Sequence, residues 1–177
     1  MRDGPDLLIR AVGSILDRDL SALRREVEAY TDEAELWGPV PGTTNPAGTL
    51  VLHLAGNLQH FFGACLGRTG YLRNREAEFS RRDVPRAELL REIEAARSAV
   101  KAGLAKVSSS DLAAEFPEAV ANTRLTTGEY LVHLVAHFAY HLGQVDYHRR
   151  VLTGSQMVVD AMRPAELSSA RPLGSRP

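Results

Sequence analysis

The stretch HLVAHFAYHLGQVDYHRRVLTG, residues 133–154, combines an apolar helical stripe with four of the six histidines of the chain. Its apolar residues recur at intervals of three and four, which is the period of a helix that buries one face. Upstream, Thr126 and Glu129 have the spacing of a capping box, and Gly154 is a typical residue just beyond a helix C-terminus. The sequence therefore predicts a long helix from residue 126 to about residue 152.

The rest of the chain has the same helical period, and long runs of alternating β-branched residues are absent. Three more long helices are predicted over residues 6–30, 46–66 and 85–107. The first two are followed by long polar connections, of which residues 68–84 are a candidate functional loop. These features predict an all-α four-helix bundle in residues 1–162, followed by a polar tail, residues 163–177, that is peripheral or disordered.

Length and charge limit the classes of protein to which this chain can belong. The 177 residues suit one domain. With 21 basic and 22 acidic residues, the chain lacks the excess of positive charge that is typical of nucleic-acid-binding proteins. Residues 50–66 are apolar but include His53, Asn57 and His60, which argues against a membrane helix. One cysteine and the lack of a signal-peptide pattern favour a cytoplasmic protein, and no glycine-rich phosphate loop is present.

The histidines are the candidate functional residues. Steps of four place His133, His137 and His141 on one slowly drifting helix face, while His53 and His60 share a side of the second helix. Buried imidazoles need partners, and a shared metal ion would satisfy several of them at once. Spacing leaves open whether the ligand pair is 133/137 or 137/141, and also whether these are ordinary hydrogen-bonded histidines. A zinc peptidase is disfavoured, because no Glu follows the first histidine of either pair.

Three segments together resemble one known family. They are LVLHLAGNLQHFFGA (50–64), GYLRNREAEFSRRDVPRAELL (70–90) and the stretch 133–154. In these segments the chain resembles the DinB-like superfamily, and within it the subfamily that has HLAGN and RNRxxEF elements. The resemblance implies a four-helix bundle, commonly a homodimer, with a divalent metal ion bound by His53, His137 and His141. Zinc is the favoured ion, and nickel, manganese or iron would also suit such a site.

Other polar residues are assigned candidate roles around this site. Asn57 and Gln144 could orient a ligand histidine or a bound water. Glu76, Glu78 and Glu129 are candidate acid–base groups, and Arg73 with Arg75 could clamp a substrate carboxylate, although each of these charges is also typical of a solvated surface. Cys65 has no recognisable activating partner and is expected to be a small core residue.

Relatives of the superfamily include S-transferases that use bacillithiol, mycothiol or glutathione. The resemblance thus implies a metal-dependent transferase acting on a small molecule, with a low-molecular-weight thiol as cosubstrate; a hydrolase is the lesser alternative. The rival hypothesis is a non-catalytic helical dimer stabilised by metal, or a stress-response binding protein. A fourth protein ligand, such as His60 or His133, would favour that rival, whereas an open coordination position would favour an enzyme.

Overall fold

The computed structural model describes residues 3–173, and side chains from residue 7 onward. Five α-helices lie in this part of the chain: α1 (Asp3–Glu28), α2 (Ala47–Leu58), α3 (Arg75–Ser80), α4 (Arg86–Leu104) and α5 (Thr127–Thr153). A π-helical segment, Gln59–Leu66, continues α2, and short 3-10 helices occur at Glu33–Trp37, Asp111–Ala113 and Pro164–Glu166. The described residues form no β-strand, only two isolated bridges. The all-α prediction is confirmed.

The ends of α5 follow from its sequence. The Oγ1 atom of Thr126 accepts a hydrogen bond from the backbone N–H of Glu129 at 3.4 Å, and the Thr126 hydroxyl donates to the Glu129 carboxylate at 2.9 Å. At the other end Gly154 adopts a left-handed conformation with φ of 64°, which a residue without a Cβ does at little cost. Both predicted boundaries are correct.

Four long helical units enclose the core, with α4 and α5 each packed against both α1 and α2. The fully buried side chains at the centre come from all four units and include Leu16, Leu23, Leu54, Ile93 and Phe138. A buried ion pair also joins α1 to α5, because Arg149 Nε lies 2.5 Å from Glu26 Oε2 and neither side chain is exposed. The packing is that of the predicted four-helix bundle.

Two elements differ from the sequence prediction. The second long helix changes after Leu58 into the π-helical segment, where the N–H of Gly67 bonds to the carbonyl of Phe62 five residues earlier, at 2.8 Å. The polar connection predicted as a loop contains α3, whose first turn is capped by Asn74 through a 2.9 Å bond from the N–H of Ala77. This short helix packs against α2 and so reaches the histidine-bearing face of the bundle.

Residues 163–173 contact the surface of α1 at two points. Arg25 pairs with Glu166 at 3.3 Å, and the N–H of Ser168 donates to the Ser14 hydroxyl at 2.7 Å. The described tail residues are therefore peripheral but attached; residues 174–177 of the predicted tail lie outside the described part. Within residues 3–173 there is no helix whose length and apolar character suit a crossing of the bilayer.

Candidate metal centre

Three histidines from two helices converge on one point of the bundle. His53 on α2 lies against His137 and His141, which occupy successive turns of α5. The Nε2 atoms of His53 and His137 are 3.3 Å apart, and the three histidines each offer a ring nitrogen within 4.8 Å of the others. His53 is buried, whereas His137 and His141 are partly buried. The structure thus brings together the three residues that the family resemblance implied.

The hydrogen bonds at Nδ1 of His53 and of His141 determine which nitrogen of each ring carries the proton. Nδ1 of His53 lies 3.0 Å from Oε2 of Glu78, and Nδ1 of His141 lies 2.7 Å from Oε1 of Gln144. Since a carboxylate and an amide oxygen only accept, both Nδ1 atoms carry the proton. The Nε2 atoms of His53 and His141 are therefore left with free lone pairs, which is how metal-binding histidines are usually oriented.

The spacing of these nitrogens suits a small divalent cation. With metal–nitrogen bonds of about 2.0–2.1 Å, tetrahedral geometry separates two ligand nitrogens by about 3.3–3.4 Å. The observed 3.3 Å between the Nε2 atoms of His53 and His137 agrees with that edge. No fourth histidine, cysteine, aspartate or glutamate joins the cluster among residues 7–173. The donor set therefore fits an ion that keeps one position for water or a substrate.

Burial keeps the ligands ready to bind a cation. Burial, together with the neighbouring His141, His53 and His133 and the Arg73 guanidinium, lowers the pKa of His137 to about 4. Burial also lowers the pKa of His141, although its hydrogen bond to Gln144 acts in the opposite sense. At neutral pH both imidazoles are uncharged, which is the form that donates a lone pair to a metal.

An ion pair between the partly buried Arg73 and the buried Glu78 supports His53 at its Nδ1 atom. Arg73 donates to both carboxylate oxygens of Glu78, at 2.7 and 2.9 Å. Burial alone would raise the pKa of Glu78, but the hydrogen bonds from Arg73 and His53 outweigh it and hold that pKa below its usual range. The Phe79 ring packs on the His53 ring with centroids 4.9 Å apart. The RNRxxEF element thus builds the support of a candidate ligand.

Gly56 explains the glycine of the HLAGN element. A Cβ atom placed there would lie 2.3 Å from Oε1 of Glu78, far inside the contact distance of a carbon and an oxygen. The missing side chain lets the carboxylate lie across α2 and reach His53, one turn before Gly56. The sequence offered Glu78 as a candidate acid–base group and Arg73 as a candidate clamp, or both as solvated surface charges; the structure instead buries Glu78, which is 6% exposed.

The remaining predicted site residues lie at different distances from the triad. Asn57 is buried one turn after His53, and its side chain makes no hydrogen bond to another described residue. Glu76 is exposed on α3. Glu129 is exposed and accepts a hydrogen bond from the hydroxyl of the N-cap residue Thr126. It lies about 12 Å from His137 along the axis of α5. Arg75 packs over the Phe79 ring at 4.9 Å. Their proposed catalytic or clamping roles remain predictions.

The other three histidines have different environments. His148 is structural, because its Nε2–H donates to the Gly38 carbonyl at 2.9 Å and its Nδ1 accepts from the Tyr30 hydroxyl at 2.8 Å, so both ring nitrogens are occupied. His133 is exposed and stacks on Tyr130 with ring centroids 5.7 Å apart. His60 lies away from the triad, beside Cys65 and a glutamate of the α4–α5 connection.

Cys65 is partly buried, as expected of a residue at the edge of the core. Burial, together with the nearby Glu118 carboxylate, raises the pKa of its thiol to about 12. A thiol with such a pKa is protonated at neutral pH and is a poor nucleophile. The sequence-based interpretation that Cys65 is not an activated nucleophile agrees with this environment.

A cavity of about 510 Å³ opens beside the triad. His141, Gln144 and Leu50 are among the residues that line it. Its outer wall carries Tyr140 and Tyr147, which are 67% and 73% exposed. The cavity has the size and the mostly apolar walls of a small-molecule site, and sequence reasoning missed these tyrosines because nothing in their helical spacing separates them from core residues.

Fold and site together define a helical-bundle protein with a three-histidine candidate metal centre and a small-molecule cavity next to it. A family model described as mycothiol-S-transferase matches residues 11–154 of the chain. The chain belongs to this family, which is part of the DinB-like superfamily, as its motifs indicated. Comparisons with curated proteins and with solved structures gave no match.

Proposed function

We propose that this protein is a metal-dependent S-transferase that joins a low-molecular-weight thiol to a small electrophilic acceptor. The observation that carries the proposal is the three-nitrogen cluster without a fourth protein ligand, beside a cavity that contains one of its histidines. Membership of the mycothiol-S-transferase family supports a thiol as the cosubstrate. A structural metal site would use four protein ligands and would need no cavity.

His53, His137 and His141 would hold a divalent ion, for which zinc is our first choice. When bound, such an ion lowers the pKa of a coordinated thiol toward neutrality and thereby provides a thiolate at pH 7. Glu78 and Gln144 fix the orientation of two of the rings, and Arg73 keeps Glu78 charged. Their effect is to hold the three nitrogens in place before any ion or substrate arrives.

The cavity would bind the acceptor. Tyr140 and Tyr147 offer flat apolar surfaces, and the Asn57 amide is free to hydrogen-bond a polar group near His53. In the transfer, the thiolate sulfur forms a bond to the electrophilic carbon while the leaving group departs with the old bonding pair. The thiol proton passes to solvent, so the reaction needs no oxidant or reductant.

The test compares metal content and transfer in wild type, His137→Ala and His133→Ala. Protein freed of metal and reloaded with one divalent ion at a time is mixed with mycothiol, bacillithiol or glutathione and chlorodinitrobenzene, and thioether formation is followed by absorbance. We expect transfer in the metal-loaded wild type and in His133→Ala, which changes an exposed histidine outside the cluster. His137→Ala should lose both the triad metal and the activity.

Two outcomes would contradict the proposal. If the metal binds and raises the melting temperature but no thiol is transferred, the protein is a metal-stabilised helical module or binding protein instead. If His137→Ala transfers thiol as fast as the wild type, the cluster is not the active site. We also propose a cytoplasmic homodimer; light scattering on the purified protein tests the dimer.

A further inference from the structure

A second cluster of metal-binding side chains lies beyond the triad. His60, Cys65 and Glu118 each offer one ligand atom, and these atoms lie within 4.8 Å of one another. His60 Nε2 is 3.0 Å from Oε1 of Glu118, and the Cys65 sulfur is 3.8 Å from His60 Nε2 and 3.6 Å from Oε2 of Glu118. None of the three residues belongs to the candidate metal centre, and the proposed function does not use them.

The π-helical segment is what brings His60 and Cys65 together. In a regular α-helix, residues five apart are rotated by about 140° from one another and face different sides. The i→i+5 hydrogen bonding of residues 59–66 widens the turn, so that residues five apart return to one side. π-Helical turns are rare and often occur at functional sites. This one spans eight residues and aligns an imidazole with the only thiol of the chain.

Glu118 is held over this face by the connection between α4 and α5. Its neighbour Phe116 is buried against Phe61 and Tyr130, with ring centroids 6.1 and 4.7 Å apart. A tight turn follows, in which Val120 and Thr123 exchange two backbone hydrogen bonds of 2.9 and 2.8 Å. The connection is thus anchored on both sides of Glu118, and its carboxylate is directed to the imidazole of His60.

The distances agree with the edges of a tetrahedral site. With bond lengths of about 2.3 Å to sulfur and about 2.0–2.2 Å to nitrogen or oxygen, sulfur lies about 3.5–3.7 Å from each of the other ligands, and nitrogen about 3.3–3.5 Å from oxygen. The observed separations of 3.8, 3.6 and 3.0 Å each need a shift of at most a few tenths of an ångström. One thiolate and one carboxylate would also neutralise a doubly charged cation.

We propose that His60, Cys65 and Glu118 form a second metal site, for a cation of zinc-like softness, with water completing the coordination. A thiolate, an imidazole and a carboxylate are a donor set that Zn²⁺ accepts readily, whereas Mg²⁺ and Ca²⁺ prefer oxygen alone. This site is independent of the transferase proposal. It would cross-link the α4–α5 connection to the π-helical segment, so that metal binding stabilises that connection.

Cobalt(II) tests the proposal, because a thiolate bound to Co²⁺ gives a near-ultraviolet charge-transfer band that imidazole and carboxylate ligands do not give. Cys65 is the only cysteine, so any such band must come from it. Reduced, metal-free full-length protein is titrated with Co²⁺ in wild type and in His137→Ala, which removes a ligand of the triad only. We expect the band in both, with two ions per chain in wild type and one in His137→Ala.

Variants within the second cluster complete the test. Cys65→Ser should abolish the band while the triad still binds one ion. Glu118→Gln should raise the Kd for Co²⁺ at this site by more than about tenfold, because even partners outside the ligand shell are worth about 10–100-fold in metal affinity. Glu115→Gln is the matched control, since Glu115 belongs to the same connection but pairs with Arg124.

No charge-transfer band in folded wild type at saturating Co²⁺ would overturn the second site and would make the cluster a simple hydrogen-bonded group. A band that survives Glu118→Gln and His60→Gln with unchanged affinity would also overturn it. Failure of the transferase proposal gives a different result, since an empty triad or an inactive protein would leave the cysteine band in place. If His137→Ala does not fold, the band in wild type decides alone.

Discussion

Glu78→Gln tests whether the ion pair behind His53 controls the metal centre. Glu78 accepts two hydrogen bonds from Arg73 and one from Nδ1 of His53, all in a buried environment. Glutamine has the same shape but replaces one acceptor oxygen with an NH₂ donor. Whichever way the amide is turned, that donor faces another donor, either the Arg73 guanidinium or the Nδ1–H of His53.

Glu78→Gln should lower both the metal affinity of the triad and the stability of the metal-free protein. Partners of this kind contribute about 10–100-fold to metal affinity, which is about 1.4–2.7 kcal/mol. We expect the upper half of that range, because Glu78 is only 6% exposed and water cannot replace it easily. The metal-free protein loses stability, since an unsatisfied buried donor costs about 1–3 kcal/mol.

The assay is competition for zinc against a chromogenic chelator, together with urea unfolding of the metal-free protein. Glu76→Gln is the matched control, because it makes the same change two residues away on the exposed side of α3. We expect Glu76→Gln to bind zinc as the wild type does and to have the same free energy of unfolding. A triad Kd for Glu78→Gln within twofold of that control, in a stably folded protein, would refute the reasoning.

Three further predictions concern Gly56, Gln144 and Arg149. Gly56→Ala places a methyl group against Glu78 and should weaken zinc binding about tenfold in the same chelator assay, as expected for a displaced supporting group. Gln144→Ala removes the bond to His141 and should cost about tenfold, measured by calorimetry; an unchanged Kd would show that the bond is dispensable. Arg149→Met leaves Glu26 buried and unpaired, which should cost about 3–5 kcal/mol of unfolding free energy at pH 8. Burial already raises the pKa of Glu26 from 4.5 to about 7, so folding favours its protonated form. The loss of unfolding free energy caused by Arg149→Met should therefore shrink as the pH falls from 8 to 5. Parallel urea titrations at the two pH values measure it, and an equal loss at both would contradict this prediction.

The sequence was most informative where local chemistry determines the structure. The Thr126 cap and Gly154 lie one residue outside the two ends of α5, since capping and left-handed geometry depend on a few neighbouring residues. Spacing also showed that His137 shares a face with histidines on both adjacent turns. It could not choose between His133 and His141, because both lie four residues away, and only the family resemblance favoured His141.

The support of the site was not predictable, because it depends on contacts across the fold. Glu78 and Arg73 lie in a segment rich in charges, where most side chains are solvated. The burial of Glu78 follows from α3 packing against α2, which needs the space left by Gly56 twenty-two residues earlier. Nothing in the local pattern of either segment indicates this contact; only the three-dimensional arrangement shows that the two motifs form one unit.

Distance along the second helix keeps its two histidines in different environments. His60 follows His53 by seven residues, or about 10 Å of helix, so the two share a face but His60 does not reach the triad. The π-helical segment aligns Cys65 with His60 and Glu118, whereas His53 stays with α5. The triad is thereby left with three protein ligands and an open position.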